Sequence, residues 1–137
     1  MFDSQSALAH TLQKVKKTAS RVQDTIPYET VHGVYNRMDD DIHWWTNGFW
    51  AGLLWLAWHR TKDGDLARWA VGIEEKLDAA LSEYDKLDHD VGFLWHLSAV
   101  ADYQATGSRQ SARRGFTAAG VLASRFNPAG SFIRAWN

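Results

Sequence analysis

Two segments that are apolar on nearly every helical face constrain the fold of this chain more than any other feature. They cover about residues 46–60 and 90–104. A helix that is apolar all round must be surrounded by protein, so both segments are expected to be wholly buried inner helices. One-sided helices of about residues 65–84 and 108–125 follow them, and an amphipathic helix of about 6–26 precedes them. With only two prolines in the sequence, the pattern predicts an all-α chain.

The remaining segments carry turn signals or no helical period. Residues 27–44 are expected to form a loop, since they hold Pro27, Gly33 and an acidic run at 39–41. Residues 131–137 are expected to be extended. The stripe of the last helix that is predicted to face the core comprises Ala112, Phe116, Ala119, Ala123 and Phe126.

An internal repeat indicates how the helices are arranged. Asn47-Gly48-Phe49-Trp50 aligns with Val91-Gly92-Phe93-Leu94 at an offset of 44 residues. A period in the forties with two helices per unit is typical of an α-solenoid or a closed α/α toroid. Such arrays need about three or more units with capped ends, and this chain holds two units and one further helix. We therefore expect a single incomplete domain over residues 1–137, the front part of a larger repeat protein.

Composition excludes several function classes. Fifteen basic against sixteen acidic residues argue against a nucleic-acid-binding module. The absence of cysteine excludes disulfides, thiolate metal sites and a cysteine nucleophile. No pair of histidines has the spacing of a metal-binding helix, and the run Asp39-Asp40-Asp41 lacks the alternation of a calcium loop, so no metal is predicted. No apolar run reaches the roughly 20 residues of a membrane helix, and no signal-peptide pattern opens the chain, which predicts a cytoplasmic location.

Asp90 is the first candidate for chemistry. It opens a predicted inner helix and is followed by apolar residues, a setting in which a carboxylate can serve as a general acid or base. The alternative is a helix N-cap, which chemistry alone favours, because aspartate is a preferred N-cap and its repeat partner Thr46 is another. His89 is its immediate neighbour, with packing in a loop as its alternative role.

Eight tryptophans suggest a surface for carbohydrate, because flat aromatic rings stack on the faces of sugars. Trp55, Trp58, Trp69 and Trp95 lie within predicted helices and are assigned to the core. Trp44, Trp45 and Trp136 lie outside the helices, where sugar binding and packing are equally open. Arg134 is of a type that can pair with an anionic sugar.

Two of these motifs in this order resemble a known family. Trp45–Gly52 (WTNGFWAG), followed one repeat later by His89–Phe93 (HDVGF), is similar to the unsaturated glucuronyl hydrolases of glycoside hydrolase family 88. The segment Arg134–Trp136 also looks like theirs. The related unsaturated rhamnogalacturonyl hydrolases, family 105, share the architecture and a similar aspartate motif, but the Trp-Thr-Asn-Gly-Phe-Trp form favours family 88.

The resemblance implies a six-hairpin (α/α)6 toroid that acts, without metal or organic cofactor, on oligosaccharides ending in a 4,5-unsaturated uronic acid. The reaction hydrates the C4=C5 bond and releases the remaining sugar. Asp90 matches the first of two catalytic aspartates of the family. The substrate-binding set expected from it is Trp44, Trp45, His89, Arg134 and Trp136.

One departure from the family is serious. Its second aspartate, the principal acid and base, lies downstream of the Arg-x-Trp segment, and this chain ends before it. We therefore expect a truncated form that is inactive alone. The alternatives are a rhamnogalacturonyl-type enzyme, a non-enzymatic helical-repeat module that binds a partner on its concave face, and an inactive gene remnant.

Overall fold

The computed structural model describes residues 3–137 and shows two helical hairpins that follow an amphipathic first helix. The α-helices are α1 (Ser4–Val22), α2 (Phe49–Thr61), α3 (Gly64–Ser82), α4 (Val91–Trp95), α5 (Ala101–Thr106) and α6 (Arg109–Ser124). A π-helical turn, His96–Val100, joins α4 to α5, so the predicted fourth helix is one continuous rod. A 3-10 turn, Tyr84–Lys86, follows α3. The predicted number and order of the helices are confirmed.

Side-chain caps set where three helices begin. Asp3, Asp63 and Ser108 each accept a hydrogen bond from a backbone N–H in the first turn of α1, α3 and α6. Two connections between helices need a left-handed residue, Lys62 after α2 and Gly107 after α5. Glycine adopts this conformation at little cost, which explains the turn at Gly107.

The core lies between the inner pair of rods and the outer helices α3 and α6. Trp55, Trp69 and Trp95 are buried there, as predicted. Trp58 is only partly buried, and the Lys62 ammonium sits 4.0 Å from its ring centroid. The smaller residues of this core include Leu54, Ile73, Leu77, Leu94 and Ala99, all at most 1 % exposed.

The prediction that both inner helices are wholly buried is wrong for one of their faces. Leu53 and Phe93 are exposed, and Leu56 of α2 is 68 % exposed. These side chains share a face with Leu97, which lines an open cavity. The two inner rods and their outer partners cover each other on three sides only, so this inner face (Phe49, Leu53, Leu56, Phe93 and Leu97) remains open.

The predicted core stripe of α6 is also wrong. Phe116 is 79 % exposed and Phe126 is exposed as well. The helix buries Ser111, Arg114 and Ala118 instead. Polar contacts stabilise this orientation, because Nε and Nη2 of Arg114 each donate to the Asp78 carboxylate of α3 at 2.7 Å.

Short β-hairpins replace part of the predicted loop and the predicted extended end. Strands β1 (Pro27–Val31) and β2 (Val34–Arg37) pair antiparallel around His32 and Gly33, both with positive φ. Strands β3 (Phe126–Asn127) and β4 (Phe132–Ile133) form the second hairpin. None of the helices within residues 3–137 is long and apolar enough to cross a membrane.

The acidic run after β2 has a structural role at its first residue. Asp39 accepts hydrogen bonds from the Arg37 guanidinium, the Ile26 N–H and the Lys76 ammonium of α3. Burial opposes ionisation of Asp39, but these hydrogen bonds outweigh it and hold its pKa below the usual range. The carboxylate thus fastens the first hairpin to α3.

A buried polar cluster joins four helices behind the core. Glu74 of α3 is fully buried and accepts hydrogen bonds from the Trp55 indole at 3.0 Å and the Ser111 hydroxyl at 2.9 Å. The same hydroxyl lies 2.5 Å from Asp102 of α5, and Arg114 lies 3.6 Å from Glu74. One hydroxyl proton cannot satisfy two carboxylates, so the cluster favours an added proton. Burial and the charge of Asp102 accordingly raise the pKa of Glu74 to about 7, against the hydrogen bonds and Arg114.

This cluster predicts that stability falls as pH rises. Because the folded-state pKa of Glu74 lies above its usual 4.5, the folded chain binds the proton more tightly than the unfolded chain. Its contribution is fully present below about pH 4.5 and is lost toward pH 7, by up to about 3 kcal/mol. We expect Glu74→Gln to remove this slope in urea unfolding measured from pH 4.5 to 8. Glu75→Gln, a change at the exposed neighbouring position, should keep the slope, and an unchanged slope in Glu74→Gln contradicts the assignment.

Gly48 predicts a second, local sensitivity. A Cβ at this position would lie 2.3 Å from the Leu94 carbonyl oxygen and 2.4 Å from that of Phe93, both backbone atoms. We expect Gly48→Ala to lower the free energy of unfolding by about 2–3 kcal/mol or more, since neither helix can yield without moving the other. Its repeat partner Gly92 has nothing within 4 Å, so Gly92→Ala should be neutral or stabilising by up to about 1 kcal/mol. Equal losses in denaturant midpoint for both variants would refute the contact.

Candidate active site

Asp90 lies directly before α4, but its side chain does not cap that helix. Its backbone is already helical, with φ −79° and ψ −1°, and the side chain makes no capping hydrogen bond. Asp88 fills that place instead, because its Oδ1 accepts the Asp90 N–H at 2.8 Å. The Asp90 carboxylate is 19 % exposed and makes no N-cap hydrogen bond. The N-cap role predicted from residue type is therefore wrong.

His89 links Asp90 to the end of the chain. Its Nδ1 lies 2.9 Å from the Ala135 carbonyl oxygen, and its backbone N–H donates to the same oxygen at 3.2 Å. A carbonyl only accepts, so Nδ1 carries the proton. The other ring nitrogen, Nε2, lies 3.4 Å from Asp90 Oδ1. This orientation turns one edge of the imidazole toward the candidate catalytic carboxylate.

Trp136 packs against this pair. Its ring stands edge-on to the His89 imidazole with centroids 4.7 Å apart, and the indole is 66 % exposed. An exposed tryptophan held by a neighbouring ring offers a flat face at low cost in side-chain freedom. The structure thus brings together three of the predicted residues, Asp90, His89 and Trp136.

Of the two predicted tryptophans before α2, Trp45 lies close to this group and Trp44 packs elsewhere. Trp45 is exposed and packs against Phe49 and Phe93, with centroids 5.7 and 5.9 Å away. Phe93 belongs to the first turn of α4, and its N–H donates to the Asp90 carbonyl at 2.8 Å. Trp45 is therefore near the same helix start. Trp44 instead packs edge-on against Tyr28 of the first hairpin, at 5.8 Å.

Arg134 joins the site through its backbone. Its N–H and carbonyl group both bond to Arg125. The Arg134 side chain is exposed and makes no hydrogen bond or ion pair among residues 3–137. The predicted pairing of this side chain with an anionic sugar stays a prediction.

A cavity of about 510 Å³ opens beside His89. Its walls are Phe49, His89, Gly92, Phe93, His96 and Leu97. A second cavity of about 490 Å³ continues along the inner face past Leu53 and Leu56. These volumes lie within the range of small-molecule sites, and the mixture of aromatic walls with a few polar groups is typical of such sites.

Asp88, His89 and Asp90 also place one possible ligand atom each within 4.8 Å of one another. The Asp88 oxygen already accepts the Asp90 N–H, and His89 Nδ1 already carries a proton toward Ala135. His89 Nε2 and the Asp90 carboxylate keep their lone pairs. The sequence prediction of a site without metal stays a prediction.

Sequence reasoning missed the group that holds this site together. Arg125, at the C-terminal end of α6, is buried and bonds to residues on both sides of the site. Phe49 and Phe93, which support Trp45, were read only as parts of a motif. No local pattern marks Arg125, because its acceptors are distant backbone carbonyl groups.

Known proteins resemble the chain in sequence. No family model matches it. The unsaturated glucuronyl hydrolase of Bacillus sp. strain GL1 is 30 % identical over 133 residues, which are 96 % of this chain and 35 % of that protein. The unsaturated chondroitin disaccharide hydrolase of Streptococcus agalactiae serotype III is 35 % identical over 108 residues, 78 % of this chain and 27 % of that protein. The chain therefore spans about a third of the length of these curated relatives.

Comparison with solved structures finds the same kind of protein. The crystal structure of unsaturated glucuronyl hydrolase from Bacillus sp. GL1, described as responsible for the degradation of glycosaminoglycan, matches with a TM-score of 0.83 at 28 % identity. The match covers 97 % of this chain and 35 % of that one. The expectation of a partial toroid is confirmed. In sequence and in fold, this chain is similar to the unsaturated glucuronyl hydrolases over about a third of their length.

Proposed function

We propose that this chain supplies part of the active site of a hydrolase for oligosaccharides that end in a 4,5-unsaturated glucuronic acid, of the kind derived from glycosaminoglycans. One observation carries the proposal. In a chain that resembles such hydrolases, the Asp90 carboxylate is uncommitted to the helix end and lies 3.4 Å from His89, whose ring packs against the exposed Trp136 and lines an open cavity.

The reaction is a hydration followed by ring opening. An acid protonates C4 of the C4=C5 bond, and water adds to C5, giving one of its protons to a base and keeping the other in the new C5 hydroxyl group. The resulting hemiketal opens by breaking the bond between C5 and the ring oxygen, which leaves a ketone at C5. Carbon 1 is then a hemiacetal and expels the remaining sugar as an alcohol. Both protons move through side chains, so carboxylates suffice for this chemistry.

Within this chain, Asp90 is the group placed to exchange a proton with the substrate. The proton on His89 Nδ1 is fixed by Ala135, so the Nε2 edge can share a proton with Asp90. Trp136 and Trp45 offer exposed aromatic faces on which the sugar rings can stack. Trp44 and Arg134 complete the proposed binding set, with Arg134 as a partner for the uronate carboxylate.

The proposal assigns only one carboxylate of an acid–base pair to this chain. Hydration of the double bond needs a proton donor for C4 and a proton acceptor for the attacking water, and Asp90 is the one carboxylate of this chain that is assigned to such a role. We therefore expect the 137-residue chain alone to be inactive. A cytoplasmic location and the absence of an organic cofactor stay predictions.

A chimaera tests the assignment of Asp90. In it, this chain replaces the matching third of the Streptococcus agalactiae relative, and an unsaturated chondroitin disaccharide is followed by the ultraviolet absorbance of its double bond. We expect the chimaera to bleach this absorbance and Asp90→Asn to slow it by about 10²- to 10⁴-fold, the usual effect of losing an acid or base.

Asp85→Asn is the matched control, because Asp85 is exposed and its side chain forms no hydrogen bond among the described residues. It should keep the activity of the unaltered chimaera. A folded chimaera that leaves the absorbance untouched contradicts the substrate, and bleaching by the 137-residue chain alone contradicts the need for a second carboxylate.

A further inference from the structure

Arg125 makes more long-range hydrogen bonds than any other side chain near the candidate active site. Its Nε donates to the Arg134 carbonyl at 2.8 Å, and its Nη2 donates to the Ala135 carbonyl at 3.0 Å. Its Nη1 donates to the Leu87 carbonyl at 3.0 Å and to Asn137 Oδ1 at 2.8 Å. Each nitrogen of the guanidinium group therefore has a partner, although the residue is only 8 % exposed.

All four acceptors are neutral. Three are backbone carbonyl groups and one is a side-chain amide, and Arg125 takes part in none of the ion pairs within residues 3–137. Burying a cation without a counter-ion costs free energy, which the hydrogen bonds and the negative end of the α6 dipole offset. An arginine used for stability alone would gain more from a carboxylate. This one is arranged to fix the positions of backbone segments.

The two segments that Arg125 joins are those that carry the site. Leu87 opens the loop that ends at Asp90, while Arg134 and Ala135 directly precede Trp136. The Ala135 carbonyl accepts from both Arg125 and the His89 ring, so one oxygen couples the arginine to the site histidine. Asn137 adds a second tie, since its Nδ2 donates to the Asp85 carbonyl at 2.9 Å.

We propose that Arg125 is a positioning residue that sets the separation between the Trp136 ring and the Asp90 carboxylate, and thereby the width of the sugar-binding slot. The inference rests on the proposed function, because only a substrate held between these two groups gives their separation a consequence. A planar guanidinium with donors pointing in several directions can span four acceptors on two segments. A lysine ammonium, a single point with three donors, cannot reach them all.

Arg125→Lys in the 137-residue chain is the test, read by amide hydrogen exchange and by the NMR signals of the His89 ring. The backbone N–H groups of His89 and Arg134 bond to Ala135 and Arg125, so they report directly on the tie. We expect both to exchange at least about tenfold faster, while amides of α2 and α3 keep their protection. The His89 ring signals should lose the shift that the Trp136 ring, 4.7 Å away, imposes on them.

Arg113→Lys is the matched control, an exposed arginine of the same helix, and should change none of these readouts. Unchanged exchange at His89 and Arg134 in Arg125→Lys overturns the proposal. If Arg125→Lys unfolds the chain, Asn137→Ala decides, because it removes the second tie without disturbing a buried charge. Faster exchange confined to His89 and Arg134 in that variant supports the proposal, and no change overturns it.

The chimaera adds a readout that a purely structural role would not move. Misplacing Trp136 weakens binding of substrate and transition state alike, so Arg125→Lys should raise KM by about tenfold with a smaller change in kcat. An inactive chimaera contradicts the proposed function, whereas the exchange data decide the role of Arg125 by themselves.

Discussion

The close approach of two backbones at Gly48 sets the arrangement on which the site depends. The start of α2 rests on the carbonyl groups of Phe93 and Leu94, and no side chain fits between them. Both inner helices therefore begin side by side at one end of the molecule. That end collects the residues that precede each helix, Trp45 before α2 and Asp90 before α4. Because glycine at position 48 has no side chain, the two helix starts approach closely, and the aromatic and acidic residues before them lie near each other.

Two polar clusters of different chemistry stabilise the fold, one behind the core and one at the candidate site. Behind the core, Glu74 and Arg114 join the outer helices to each other and to α2, and the protonation of Glu74 responds to pH near neutrality. At the site, Arg125 works only through neutral backbone acceptors. Because the Arg125 guanidinium pairs with carbonyl groups, the carboxylates near the candidate site stay free of it.

Much of the fold followed from periodicity. The five predicted helices exist because their apolar residues recur at helical spacing and their turns hold capping residues. Two predictions failed where tertiary contacts outweighed that spacing. The stripe of α6 through Phe116 is as regular as the true one, but Arg114 gains a paired fork with Asp78 only when the helix turns the other way. The first hairpin was missed because its strands are short and mostly exposed.

The site was predictable in its residue types and only partly in its geometry. A motif read along the chain found Asp90, His89 and Trp136, which do meet, but it could not show that Asp88 rather than Asp90 accepts the first N–H of the turn. Nor could it show Arg125, whose partners are carbonyl groups that every residue possesses. Which carbonyl groups surround Arg125 depends on the path of the backbone, and no pattern of side chains in the sequence indicates it.

The open inner face and the candidate site share part of their walls. Phe49 and Leu97 line both the cavity beside His89 and the one that runs past Leu56. Exposed apolar surface is costly in water, and any packing that covered Leu56 would also shield the walls that it shares with the cavity beside His89. Excluding water from these aromatic walls would strengthen the hydrogen bonds beside them. The open surface of this partial toroid is therefore also part of the wall of the candidate site.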